Sequence, residues 1–184
     1  MPNARVKDRS VGNTDKVTVT TVVAVDPGTA FEVFTQDVDA WWARGPQYRF
    51  RNRDGVLRFE PGLGGRLVEV YDPATGDEFE VGRILVWQPG QRLVFAFRGR
   101  NYEPRQRTEV EVRFDAVKGG TRVTLEHRGW DSLPPGHPAR HGLTGSAFTA
   151  MISKWWADRL AAMGAHVRQI HRGVQPPVDP QPPS

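Results

Sequence analysis

FTAMISKWWADRLAAMGAHV, residues 148–167, places Phe148, Ile152, Trp155, Arg159, Leu160, Met163 and Val167 at spacings of three and four. That period gathers them on one side of a helix. The helix is expected to begin between Leu143 and Phe148 and to run to about Gly164 or a turn or two beyond. At a rise of about 1.5 Å per residue, some twenty residues make a rod near 30 Å long, enough to cross a whole sheet. The tryptophan pair Trp155 and Trp156 gives this rod large flat surfaces, so whatever it covers faces aromatic rings.

What it covers is legible upstream. Strand-like runs occupy Val56 to Glu60, Arg66 to Tyr71, Glu78 to Trp87, Arg92 to Arg98, Arg107 to Val117 and Thr121 to Gly129. Pro61-Gly62 with Gly64-Gly65, Asp72-Pro73 through Gly76, Pro89-Gly90 and Gly119-Gly120 separate them with turn chemistry. Short reversals favour pairing between neighbours, so the sheet is expected to be an antiparallel meander. Its faces can be assigned: Val110, Val112 and Phe114 alternate with Glu109, Glu111 and Arg113, and Val123, Leu125 and His127 alternate with Arg122, Thr124, Glu126 and Arg128. Leu93, Phe95 and Phe97 extend the apolar side across a third strand.

An earlier strand, Val17 to Val25, is β-branched at alternate positions and ends at Asp26-Pro27. A capping carboxylate followed by proline at the first helical position starts a short helix carrying Ala30, Phe31, Val33 and Phe34. Asp37 is placed to cap a second, with Val38, Trp41 and Trp42 on its apolar side. The class is therefore α+β: a seven-stranded antiparallel sheet curved around one C-terminal helix, enclosing a cavity.

The chain has 184 residues, the size of one domain with a substantial core. Residues 1–15 are polar and aperiodic and read as a disordered leader. Residues 16–172 form the domain. Residues 173–184, GVQPPVDPQPPS, read as a disordered proline-rich tail. No apolar stretch approaches the roughly 20 residues of a membrane span, and the N-terminus lacks a secretory pattern. With no cysteine present, a cytoplasmic location is expected. The net charge of +4 comes from 25 basic against 21 acidic residues, with the basic ones scattered singly, which argues against a nucleic-acid partner.

Chemistry is sparse. His127 stands on the inward register of its strand and is the best candidate for moving a proton at a cavity wall. Glu69 is second: one register places it inward with Leu67 and Tyr71, while the other puts Val68 and Val70 inward and leaves Glu69 in water. A satisfied core histidine and a solvated glutamate are the bland alternatives. Trp42, Phe97, Tyr102, Trp130 and Trp155 offer aromatic lining for an apolar ligand alongside His127. His137 and His141 are four apart, but prolines 134, 135 and 138 make this a loop, so no metal site is expected. There is no serine elbow or cysteine nucleophile, the glycines of residues 61–66 do not form a phosphate-cradling loop, and no cofactor is expected.

The blocks WWARGPQYRF (41–50), GGRLVEV (64–70), VGRILVWQPGQRLVFAF (81–97) and TRVTLEHRGW (121–130) together resemble the Hsp90-ATPase-activator-homologue-like proteins of the START-like, or SRPBCC, superfamily. The resemblance spans residues 17 to 170. It implies the helix-grip (Bet v 1-like) fold, the architecture already derived from the pattern. Relatives of that shape include carriers of hydrophobic molecules, polyketide cyclases and dehydratases, and plant ligand-binding allergens. Binding of a small hydrophobic or aromatic molecule is the leading expectation. A cofactor-free cyclase or dehydratase using His127 with Glu69 or Tyr102 is the alternative, and a chaperone ATPase-activating module, which the family name implies, is a third. A homodimer is compatible with each.

Overall fold

The computed structural model describes residues 15–44, 49–51 and 53–172. The expected leader, apart from Asp15, the proline-rich tail and the turn at Pro46 lie outside the described residues. Seven antiparallel strands form one sheet: β1 (Lys16–Val23), β2 (Val56–Phe59), β3 (Arg66–Asp72), β4 (Asp77–Gln88), β5 (Arg92–Phe97), β6 (Thr108–Val117) and β7 (Gly120–Arg128). The order is β1-β7-β6-β5-β4-β3-β2. Neighbour pairing therefore holds from β2 through β7, but β1 pairs with the last strand rather than the next. Helices α1 (Pro27–Gln36) and α2 (Val38–Trp41) make that crossing possible, carrying the chain from one edge of the sheet to the other.

The Asp26 side chain accepts from the Thr29 amide at 3.1 Å and starts α1 as its spacing requires. Asp37 does not act as expected. It makes no side-chain cap on α2, and its Oδ2 instead meets His166 Nε2 at 3.0 Å, tying the α1–α2 junction to the last helix. The long helix α3 spans Gly145–Arg172 and buries Phe148, Ile152, Trp156, Arg159, Leu160, Met163, Gly164 and Val167. The stripe is shifted by one member: Trp156 is fully buried, whereas Trp155 is only partly covered. Trp156 lies four residues after Ile152 and four before Leu160, so it continues their row.

The inner face follows the alternation. Val110, Val112, Phe114, Val123, Leu125 and His127 are buried, with Leu93, Phe95 and Phe97 beside them. On the outer face the scattered arginines find strand partners: Glu111 is enclosed by Arg92, Arg113 and Arg128 at 2.8 to 3.0 Å. At β4 the sheet turns sharply. A Cβ on Gly82 would stand 1.5 Å from the Ala96 carbonyl oxygen, so only glycine permits the close crossing of β4 and β5 there. Beyond it, a register shift between Ile84 and Val86 pushes Leu85 outward.

Candidate functional site

A cavity of about 160 Å³ opens between the end of β5, β7 and the first turns of α3. Phe97, Tyr102, His127, Trp130 and Trp155 all line it, together with Met151, Ile152 and Trp156. His141 is also on its wall, the one described non-glycine residue with a positive φ, at 49°. Five of the six expected lining residues therefore converge. Trp42 does not line it; its ring packs edge-on to Trp155 at 5.5 Å and to Trp156 at 5.8 Å, deeper under the helix. The rest of the space between sheet and helix is filled by the protein's own rings. Phe148 meets Trp130 at 5.1 Å and Phe97 meets Trp156 at 6.4 Å, so the hollow is small.

His127 is held from both sides. Its Nδ1 accepts from the Trp156 indole Nε1 at 3.0 Å. An indole N–H can only donate, so Nδ1 is bare and the ring hydrogen of the neutral imidazole sits on Nε2. Nε2 stands 2.6 Å from the Thr108 hydroxyl, which in turn donates to the Phe97 carbonyl at 3.1 Å. Burial alone pushes the imidazole pKa down to about 3, since an enclosed cation has no water to solvate it. This is the satisfied, neutral histidine of the bland alternative. To act as a base it would first have to give up its bond to Trp156.

Glu69 takes the inward register and is fully buried with Leu67. Its Oε2 accepts from the Phe50 amide at 2.9 Å and from the Tyr71 hydroxyl, and its Oε1 lies 3.5 Å from Arg49 Nη1. The same Nη1 bonds Asp39 Oδ1 at 2.9 Å, and that oxygen also accepts from the Leu57 amide. Burial, then the Glu69 carboxylate, raises the Tyr71 pKa by disfavouring phenolate. Glu69 is thus a member of a buried ionic cluster outside the cavity lining. The pairing of His127 with Glu69 as two convergent titratable groups is not what the geometry offers.

The model of the activator of Hsp90 ATPase homolog 1-like proteins matches residues 24–163. The chain belongs to that family. Solved structures agree on the fold. Protein MLL2253 from Mesorhizobium loti is 15% identical with a TM-score of 0.58, over 84% of this chain and 97% of that one. CalU16 from Micromonospora echinospora is 17% identical with a TM-score of 0.53, over 85% and 79%. The Aha1 dimer from Colwellia psychrerythraea is 15% identical with a TM-score of 0.54, over 83% and 95%. None of the curated proteins matches the chain in sequence.

At such identities the family carries the helix-grip architecture and no residue's role. What sequence reasoning missed is the set of partners: Thr108 and Trp156 for His127, and Arg49 and the Phe50 amide for Glu69. Trp156 was within reach, because the row Ile152–Trp156–Leu160 has the same four-residue step as the rest of the stripe. Arg49 carried no signal, sitting outside any strand or helix. His137 serves its own loop: Nδ1 accepts from the Ala139 amide at 3.2 Å and Nε2 lies 3.0 Å from Gln106 Oε1. Among the described residues no cluster of three or more histidine and carboxylate side chains could hold a metal, and no helix is long and apolar enough to cross a membrane.

Proposed function

We propose that this chain binds a small hydrophobic or aromatic molecule in the cavity between β5, β7 and α3. The observation that carries the reading is the convergence of Phe97, Tyr102, Trp130 and Trp155 on one apolar hollow beneath the long helix. Its size sets the scale. Drug-sized ligands occupy roughly 300–1,000 Å³, whereas an apolar cavity of about 150 Å³ accommodates benzene. A volume of about 160 Å³ therefore suits a single ring.

The cyclase or dehydratase alternative is less well supported. It needs two titratable groups meeting in the cavity, yet His127 has both nitrogens engaged and Glu69 is bonded within the Arg49 cluster. A chaperone partner is favoured by the family name alone, and homodimer formation by the Aha1 neighbour alone.

Titration with toluene followed by ¹H–¹⁵N NMR tests the binding reading. Saturable shifts confined to Phe97, Trp130 and the Trp155 indole are expected. Shifts scattered over the outer face of the sheet, or none that saturate, would overturn it. Native mass spectrometry of protein purified from its own cells would then identify the natural occupant.

A further inference from the structure

The cavity wall is aromatic, and the polar atoms of three of its rings are already spoken for. Trp130 Nε1 donates to the His127 carbonyl at 3.2 Å, and Trp156 Nε1 donates to His127 Nδ1. His127 Nε2 is engaged by Thr108. An indole has one donor and a neutral imidazole has one donor and one acceptor, so these three rings have no hydrogen-bonding capacity left. Remaining capacity lies with the Tyr102 oxygen and with the exposed His141.

We infer that the inner wall selects a neutral, apolar monocycle and makes no hydrogen bond to it, and that the Trp156–His127 bond sets this specificity by withholding the imidazole lone pair from the ligand. This rests on the cavity reading above and sharpens its ligand class. The physical reason is a desolvation asymmetry. A hydroxyl entering beside these rings gives up its water and finds no partner, which weakens binding roughly tenfold. A methyl group in the same place gives up nothing. Any polar substituent the site tolerates must therefore point away from these three rings, toward the buried Tyr102 hydroxyl or the exposed His141.

The arrangement also shows how the selectivity can be turned. Replacing Trp156 by phenylalanine keeps an aromatic ring but removes the N–H, leaving His127 Nδ1 as a bare acceptor on the wall. Replacing Thr108 by alanine removes the hydroxyl that caps Nε2, leaves room beside the ring and frees the Nε2 hydrogen as a donor. The two changes expose opposite ends of one imidazole.

The test compares toluene, phenol and benzaldehyde by NMR titration in wild type, Trp156→Phe and Thr108→Ala. Wild type is expected to bind toluene about tenfold more tightly than phenol, corresponding to an unpaired buried hydroxyl. Trp156→Phe is expected to raise the phenol-to-toluene affinity ratio about five- to tenfold, the worth of one net hydrogen bond. Using the ratio cancels the added volume, which both ligands share. Thr108→Ala is expected to raise the benzaldehyde-to-toluene ratio instead, and it carries the test should Trp156→Phe fail to fold. If toluene binds wild type in the cavity but neither ratio moves in a folded variant, the specificity inference falls and the binding reading stands. If toluene does not bind wild type there, both fall together.

Discussion

The β5–β7 side of the interior and the β2–β3 side each bury a titratable residue, and they do so by opposite means. Under α3, His127 is made neutral: its two nitrogens are matched to an indole and a hydroxyl, and its pKa is pushed down to about 3 by burial. Beside β2, Glu69 is met by a buried cation, Arg49, and by the Tyr71 hydroxyl and the Phe50 amide. The first solution leaves an uncharged aromatic wall beside a hollow. The second leaves charge, with hydrogen bonds running in several directions. The hollow is apolar where His127 faces it because that ring is neutral; an ionised group in its place would favour water over the ligand.

Three measurements would break or sharpen this contrast. The largest effect belongs to the joint between the two sides. Gly82→Ala drives a methyl group into the Ala96 carbonyl and should abolish the β4–β5 crossing, so the variant should lack the wild-type cooperative melt by circular dichroism. A normal melt would mean the two sides are not locked together at β4.

Next comes the ionic side. Arg49→Met leaves Glu69 and Asp39 without their shared guanidinium, and removing one partner of a buried pair costs about 3–5 kcal/mol. Urea unfolding would read that as a drop in midpoint with unchanged slope, and a change under about 1 kcal/mol would show that the cluster is not electrostatically coupled.

The smallest effect is on the neutral side and depends on pH. The folded-state pKa of His127 is below its unfolded value of about 6.5, so between these values the unfolded chain binds more protons. Stability contributed by the neutral ring is therefore complete above about pH 6.5 and is lost on acidification, at about 1.4 kcal/mol per pH unit. His127→Gln should flatten the pH dependence of stability between about pH 6.5 and 5.5, above the range where the unfolded chain's carboxylates begin to protonate, among them Glu111 and Asp77, whose folded pKa values are lowered. An unaltered acid slope would place the proton uptake elsewhere.

The two sides were also unequally legible. On the aromatic side, period-two alternation in β5, β6 and β7 and the three-to-four spacing of α3 announced which face Phe97 and Trp155 would take, whereas Tyr102 and Trp130 reach the same hollow from the loops after β5 and β7, where no period assigns a face. Trp42 departed from the pattern because the turn after α2 directs it under Trp155 and Trp156, a contact no local period records. On the ionic side, both registers of β3 were open, since Leu67 and Val68 are each apolar and each fully buried. Pairing resolved them: Glu69 lies opposite Leu57 on one side and Phe79 on the other, with the inward-facing residues.

Local sequence determined the elements, their order and the apolar face of most of them, because alternation, helical spacing, the Asp26 cap and glycine turns act within a few residues of one another. Tertiary structure alone decided that β1 closes against β7, that the cavity shrinks to the size of one ring, and that His127 and Glu69 are occupied by partners. Those outcomes depend on Trp156 lying 29 positions from His127 and Phe50 lying 19 from Glu69, separations across which only the folded chain brings a donor to an acceptor.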